Sequence, residues 1–434
     1  MIPTRRLVGV LLAVLILTVA LAIFPLIQTD WKLISGITLG VFLFDAISVW
    51  QKRPLRAERK LMHAQSLGTW SKVELTLHNP HRYPITLSVF DHHPNQVVQQ
   101  GLPMKVQIPE QNWARLQYQI KPTARGPARF ERIQIRVNSL LGLWQKNLLQ
   151  ALSSEIKIYP NFSSVMKYTL LATDQRLNQM GILRKRRRGE GMDFHQLREY
   201  RDGDSLRQID WNATARTRKL ISRDYQEERD QQVVFLVDCG RRMLAHDGEL
   251  SHFDHALNAI LLLSHVALRQ GDAVGLMTFS GDERWVPPKK SIGSVNAILN
   301  SIYDLQPSLK SPDYINAAMR LMSKQKRRAL VVLITNLRDE DEAELIPALH
   351  LMRKRHLVLI ASLQESSINA MIGNEVRGFD AALDYAAAQQ YLNYRREAHQ
   401  KIERQGVLTF DVEPDKLPIN MVNRYLEIKD SGQL

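Results

Sequence analysis

An apolar run, Val233-Val234-Phe235-Leu236-Val237, leads into a single carboxylate at Asp238, and Cys239, Gly240, Arg241 and Arg242 follow. A carboxylate at the carboxyl end of a buried strand is where open α/β sheets bind ligands. Hydroxyls just after it would complete an oxygen cage for a divalent cation. This chain supplies a glycine and two arginines instead, so the chemistry to be explained is that of an acid among guanidinium groups. Cys239 is the single cysteine of the chain. It excludes an intrachain disulfide and points to a reducing compartment, and at this place it reads as a small buried residue.

The elements that must position Asp238 begin at Gln232. A strand at Val233–Val237 precedes a helix from Phe253 to Arg269, with Ser251 as N-cap and Gly271 as C-cap. Ala273–Phe279 reads as the next strand, and Glu283–Pro288 as a hairpin-like piece. Helices are expected near Val295–Tyr303 and Asp313–Ser323, then a fully buried strand at Ala329–Thr335. A helix at Glu342–Lys354, a strand at Leu357–Leu363, a helix near Ala381–Arg404, a strand at Val407–Phe410 and a helix near Lys416–Leu426 complete a doubly wound, Rossmann-like α/β sheet.

Upstream, residues 54–160 read as β. Lys72–Leu77, Arg115–Ile120 and Arg132–Val137 alternate polar and apolar residues between proline- and glycine-marked turns. A small β-sandwich is the expected architecture, with no catalytic constellation in it. Residues 161–188 form a basic connector ending in Arg184-Lys185-Arg186-Arg187-Arg188. That run is either a solvated loop or a contact for lipid headgroups.

Residues 1–52 suggest two transmembrane helices, 7–27 and 33–50, forming a hairpin. Arg5 and Arg6 precede the first run, and Lys52, Arg53, Arg56, Arg59 and Lys60 follow the second. Positive residues at both outer ends place a two-pass protein in the inner (plasma) membrane with the bulk of the chain cytoplasmic. A cleaved signal peptide ending near Ala20-Leu21-Ala22 is the rival reading, but apolar residues continue to Ile27. Asp45, near the end of the second run, reads as an interfacial carboxylate. The 434 residues allow two or three cored domains, and the net charge of +14 favours an acidic surface, here the lipid bilayer, as a contact. No nucleic-acid-binding motif accompanies the charge.

Between connector and sheet lies a dense block: Gly189, Gly191 and Phe194, then Leu197-Arg198 and Tyr200, Gly203-Asp204, Arg207, Asp210-Trp211 and Arg216. Its alternating acids and arginines favour an ion-pair network that pins an irregular segment. Asp202-Gly203-Asp204 lacks the spacing of an EF-hand, and His195 has no second metal ligand near it. The block resembles the signature of the domain-of-unknown-function 58 family, von Willebrand factor A-like proteins often encoded beside MoxR-type AAA ATPases. Gly271-Asp272, Asp313-Tyr314, Thr335-Asn336-Leu337, Arg125-Gly126 and Leu141-Gly142-Leu143 fit the same family. The resemblance covers nearly the whole chain. It implies a von Willebrand factor A-like fold for residues 189–434 and a membrane-anchored protein-interaction module, or adaptor, with a MoxR-type AAA ATPase as candidate partner.

Von Willebrand A-like domains commonly hold a cation through an Asp-x-Ser-x-Ser turn, a distant Thr and a distant Asp. By position, Asp238 survives, Gly240 and Arg242 replace the serines, Ser311 or Asp313 could offer oxygen, and Asn336, after Thr335, replaces the last aspartate. Two unit charges about 4 Å apart repel by roughly 4 kcal/mol at an effective dielectric of 20, and a dication beside Arg242 by about twice that. The expectation is a degenerate site without Mg²⁺ or another cofactor, in which Arg241 or Arg242 replaces the cation by pairing with Asp238 or with a partner's carboxylate. An envelope-assembly scaffold without an ATPase, and an intact Mg²⁺-binding adhesion-type domain, are the alternatives. No P-loop, His-Glu-x-x-His or Gly-x-Ser-x-Gly motif is present, so the chain is read as a binding module and not an enzyme.

Overall fold

A computed structural model describes residues 1–23, 31–50, 54–161, 193–201, 206–226, 231–291, 293–373 and 375–433. The chain divides into two compact units, Met1–Tyr159 and Pro160–Leu434. The basic run Arg184–Arg188 and the signature residues Gly189, Gly191, Gly203 and Asp204 lie outside the described residues, as do Asp202 and the side chains of Asp193, Phe194, His195 and Arg207.

In the first unit β1 (Ile2–Pro3) leads into α1 (Arg5–Ile23), and α2 (Trp31–Trp50) follows. Among the described residues no helix is long and apolar enough to cross a membrane. That overturns the expected hairpin of spans 7–27 and 33–50, and with it the two-pass inner-membrane location. Two local features give the physical reason. The apolar stretch of α1 starts only after Arg5-Arg6, so Leu7–Ile23 rises about 26 Å against a hydrocarbon core of about 30 Å. The last part of α2 is docked on protein instead. The buried Asp45 carboxylate accepts hydrogen bonds from Ser139 Oγ (2.5 Å) and from the amides of Leu141 (2.8 Å) and Leu143 (3.2 Å). Trp144 Nε1 donates to the Phe42 carbonyl at 3.3 Å and Lys146 Nζ to that of Trp50 at 2.8 Å. Asp45 is therefore an anchor for a turn, not an interfacial acid. Val8, Leu11, Leu12, Leu15 and Ile16 of α1 are exposed.

The rest of the unit is two antiparallel-rich sheets. Strands β2 (Arg56–Lys60), β3 (Ala64–Ser66), β4 (Ser71–His78), β5 (Ile85–Asp91), β6 (Val97–Gln100), β7 (Met104–Ile108), β8 (Trp113–Pro122), β9 (Gly126–Asn138) and β10 (Trp144–Tyr159) follow in order. One sheet runs β1-β10-β9-β5-β7 with β3 added to β10, and the other runs β2-β4-β8-β6. Alternate residues such as Val73, Leu75, Leu77, Leu87, Val89, Ile133 and Ile135 are buried, which is the period-two pattern turned into a core. The side chain of Arg59, expected as a flanking surface charge, is fully buried. It reaches from β2 to Asp91 on β5 with two bonds of 2.8 and 2.5 Å, and to the Leu152 carbonyl and Ser154 Oγ of β10. Tyr118 of β8 donates to the same Asp91 at 2.7 Å. This polar clamp ties the two sheets together.

In the second unit β11 (Asp193–Glu199) and β12 (Ile221–Gln226) pair antiparallel, and α3 (Trp211–Thr217) lies between them in sequence. The unit's main sheet contains β13 (Gln232–Asp238), β16 (Ala273–Phe279), β17 (Trp285–Lys289), β18 (Leu330–Thr335), β19 (Leu357–Leu363) and β20 (Leu408–Val412), after the short pair β14 (His246–Asp247) and β15 (Leu250–Ser251). Its order is β17-β16-β13-β18-β19-β20, parallel except for β17. Consecutive crossovers leave β13 in opposite directions, so the switch of strand order falls between the C-terminal ends of β13 and β18. Helices α4 (His252–Arg269), α5 (Gly293–Ile302), α6 (Tyr314–Lys324), α7 (Glu342–Arg353), α8 (Ser366–Gly373), α9 (Phe379–Arg404) and α10 (Leu417–Asp430) complete the unit. One buried layer joins Val234 and Leu236 of β13 to α6, α7 and Ile402 of α9. On the other face α10 and α5 pack against α4.

Candidate functional site

β13 is buried from Val233 onward, so Asp238 enters the interior as the last residue of an apolar strand. Its carboxylate is satisfied by local donors. The Gly240 amide donates to Oδ1 at 2.8 Å, and Thr335 Oγ1, at the end of β18, donates to Oδ2 at 2.8 Å. Burial pushes the Asp238 carboxyl above the ordinary aspartate range, against the opposing pull of these donors and of the Arg242 charge.

Arg242 is the deciding residue. It lies in a 3-10 turn, Arg241–Leu244, and its side chain is buried. Nη1 pairs with Asp341 Oδ2 and Nη2 with Glu340 Oε1, both in the 3-10 turn Asp339–Asp341 that follows β18. Burial would push the guanidinium down, but the hydrogen bond and charge of Asp341 hold it above its ordinary value. Tyr314, the first residue of α6, is within 3.2 Å of Thr335 Oγ1 and 3.5 Å of Asp341 Oδ2. Burial, then the neighbouring Asp238 and Asp341, pushes its hydroxyl well above the ordinary tyrosine range. One buried cation thus sits among the acids at the strand switch, bonded to Asp341 and Glu340 and felt electrostatically by Asp238.

The other expected ligands do not gather there. Gly240 packs where a side chain has no room: a Cβ would be 2.8 Å from the Lys310 carbonyl and 3.0 Å from Asp238 Oδ1. That carbonyl is held by the Arg241 amide at 3.0 Å, while the Arg241 side chain is exposed. Ser311 is exposed, and Asp313 caps α6 by accepting from the Asn316 amide at 2.9 Å. Asn336 is buried but turns toward β19 and β20. Its Nδ2 donates to Glu365 Oε1 at 2.7 Å and its Oδ1 accepts from Arg395 Nη1 at 2.9 Å. Among the described residues no group of three or more His, Cys, Asp or Glu side chains is placed to hold a metal ion. Cys239 is buried.

A second polar centre, which no motif announced, adjoins Asn336. Arg395 on α9 is 2% exposed and forks onto Asp411 with bonds of 2.6 and 2.7 Å. It also donates to Ser362 Oγ at 2.7 Å and to the Leu337 and Leu363 carbonyls at 2.5 and 2.6 Å. Burial would raise the Glu365 carboxyl, but Asn336, a backbone amide, the Arg395 charge and Tyr391 together hold it below its usual range. This network locks the ends of β18, β19 and β20. Of the signature residues, Asp210 caps α3 through the Ala213 amide at 3.0 Å and pairs with Arg223 at 2.9 Å. Phe194 pairs with Tyr225 across the β11–β12 ribbon. Leu197 and Trp211 are exposed, Arg198 donates to the Glu199 carbonyl at 3.3 Å, Tyr200 pairs its amide with the Leu220 carbonyl at 2.8 Å, and Arg216 lies in the last turn of α3.

Residues 196–378, from this ribbon through α8, match the model of the family described as protein of unknown function DUF58. That region of the chain is assigned to the DUF58 family. The uncharacterized protein YeaD of Bacillus subtilis (strain 168) is 20% identical over 234 residues, which are 52% of this chain and 54% of that protein. The chain thus spans about half the length of that curated relative. Among solved structures, Salmonella alpha-2-macroglobulin reacted with methylamine is similar over 24% of this chain and 7% of its own, at 18% identity and a TM-score of 0.20. The FixG-related protein from Vibrio parahaemolyticus is similar over 25% of this chain and 98% of its own, at 11% identity and a TM-score of 0.19. At those TM-scores neither likeness bears on the DUF58 site.

Proposed function

We propose that this DUF58 protein is a protein-interaction module, not an enzyme, whose α/β domain is von Willebrand factor A-like and whose cation site is filled by an arginine. The observation that carries the reading is the buried Arg242, paired with Asp341 and Glu340 beside Asp238. A guanidinium supplies positive charge at the strand switch without any loading step, so the recognition edge needs no metal or other cofactor. At the strand switch the buried groups are engaged with one another, Thr335 with Asp238 and Arg242 with Asp341, which supports a binding role over a catalytic one.

The rim supports a protein partner over a nucleic acid. Leu309 is 83% exposed on a loop tied at both sides, by the Ser308 amide to the Cys239 carbonyl at 2.7 Å and by the Arg241 amide to the Lys310 carbonyl at 3.0 Å. A large apolar side chain on a fixed loop loses little conformational freedom on binding. Arg241 and Lys310 flank it as exposed cations. The resemblance of the Gly189–Arg216 block makes a MoxR-type AAA ATPase the partner of this reading. The test is biolayer interferometry of the full chain against such an ATPase with and without ATP. Binding weakened by Leu309→Ser and by Arg241→Glu is expected, and binding indifferent to both substitutions would sink the reading.

A further inference from the structure

The motif Leu141-Gly142-Leu143 has no part in the site described above, yet it borders an open cavity of about 650 Å³ in the first unit. The wall is formed by the 139–142 turn together with Thr4, Arg5, Arg6, Thr86, Asn138 and Gln145. It carries no aspartate or glutamate. The nearest acid of the turn, Asp45, is already saturated by Ser139 and by the amides of Leu141 and Leu143. Neither Arg5 nor Arg6 has a carboxylate partner among the described residues. Two exposed guanidinium groups without counter-charge among the described residues, beside hydroxyl and amide groups, give the cavity the chemistry of an anion site.

The arginines are held in place by the backbone before them. β1 pairs with β10, Ile2 opposite Gln145 and Pro3 opposite Trp144. Thr4 donates its amide to the Leu143 carbonyl at 2.9 Å and its hydroxyl to the Gly142 carbonyl at 2.7 Å. Arg6 then lies over Gly142, where a Cβ would stand 3.3 Å from Nη1. Gly142 also takes a φ of 74°, so the position suits glycine on two grounds. A single carboxylate would be satisfied by one arginine. Two arginines with Thr86, Asn138 and Gln145 match the several oxygens of a tetrahedral anion. The volume far exceeds that of an inorganic ion, and the exposed Leu140 and Leu141 give the cavity an apolar lip.

We propose that this cavity binds the phosphate group of an organic phosphate ester, with Arg5 and Arg6 on the phosphate oxygens and Leu140 and Leu141 against the esterified group. The proposal is independent of the recognition edge in the second unit. It is tested by calorimetric titration of the full chain with inorganic phosphate, hexyl phosphate and hexanol. Saturable binding of hexyl phosphate, weaker binding of inorganic phosphate and none of hexanol are expected. Arg5→Gln and Arg6→Gln should each weaken hexyl phosphate binding by roughly tenfold to a hundredfold. Absence of saturable hexyl phosphate binding, or affinity unchanged in the double variant, overturns the site. Equal affinity for inorganic phosphate and hexyl phosphate overturns the assignment of an ester. On the unaltered chain, phenylglyoxal modification read by peptide mass spectrometry gives a second measure. Hexyl phosphate should protect Arg5 and Arg6, and modification at an undiminished rate overturns the proposal without any variant.

Discussion

Replacing Arg242 with alanine removes the buried cation that pairs with Asp341 and lies near Asp238. Asp341 is buried and would be left as an unpaired carboxylate, whereas the Glu340 side chain is 58% exposed and regains water. Breaking a buried pair from one side costs about 3–5 kcal/mol, and the exposed Glu340 arm adds little. That cost corresponds to hydrogen exchange of the β13 and β18 amides faster by roughly two to four orders of magnitude, read by mass spectrometry. The loss has a definite pH dependence. Without Arg242 the Asp238 carboxyl, already raised by burial, rises further and relieves its burial by taking a proton. The variant is then penalised least in acid and increasingly as pH rises through the folded-state value of Asp238. After correction for intrinsic exchange, the deficit should be smaller at pH 5 than at pH 8. A deficit under about 1 kcal/mol, or one equal at both pH values, would refute the assignment of Arg242 as the site's cation.

Three further outcomes follow from the geometry. Gly240→Ser, which restores a hydroxyl to the turn, should destabilise the unit by about 1–3 kcal/mol in urea unfolding, because its Cβ meets the pinned Lys310 carbonyl at 2.8 Å; a neutral or stabilising result would show that the loop yields freely. Arg59→Ala should cost about 3–5 kcal/mol by stranding the Asp91 carboxylate between the sheets with only the Tyr118 hydroxyl bonded to it, and adding Asp91→Leu should recover part of that cost; no recovery in thermal or urea unfolding would contradict the clamp. Asp238 is raised in the folded state, so its contribution is fully present below the ordinary aspartate pKa of about 3.9 and is lost as pH rises through the folded value. Relative to Asp238→Asn, the unaltered chain should therefore lose stability with rising pH, and a flat difference between about pH 4 and pH 9 would count against the buried, raised acid.

Much of the α/β unit was legible because its signals are local. Five consecutive apolar residues before Asp238 give a strand buried on both faces, and Ser251 caps α4 with Asp254 returning to its amide. Gly271, at φ 88°, follows the end of that helix as its residue type suggested. The loss of ligand oxygen at Gly240 and Arg242 was equally readable. The partner of Arg242 was not: Asp341 lies ninety-nine positions away, and only the acidic run Asp339-Glu340-Asp341 after β18 hinted at it. The Arg395 network had no local signal, since a charged residue in a polar helix reads as surface until the strand ends converge on it. Arg59 was misread for the same reason, as one cation among several after an apolar run. Asp45 and the run around it show the limit most plainly, because composition suggested a span while the contacts of α2 with the 139–143 turn are long-range.

The claim that an arginine stands where a divalent cation would bind is tested most directly by titrating the purified full chain with Mg²⁺ and with Mn²⁺ in an isothermal calorimeter. With Arg242 paired to Asp341 and no room for a hydroxyl at Gly240, the account predicts no saturable heat up to about 1 mM of either ion, the weak end of protein sites for hard divalent cations. A saturable one-site isotherm that vanishes in Asp238→Ala would contradict it.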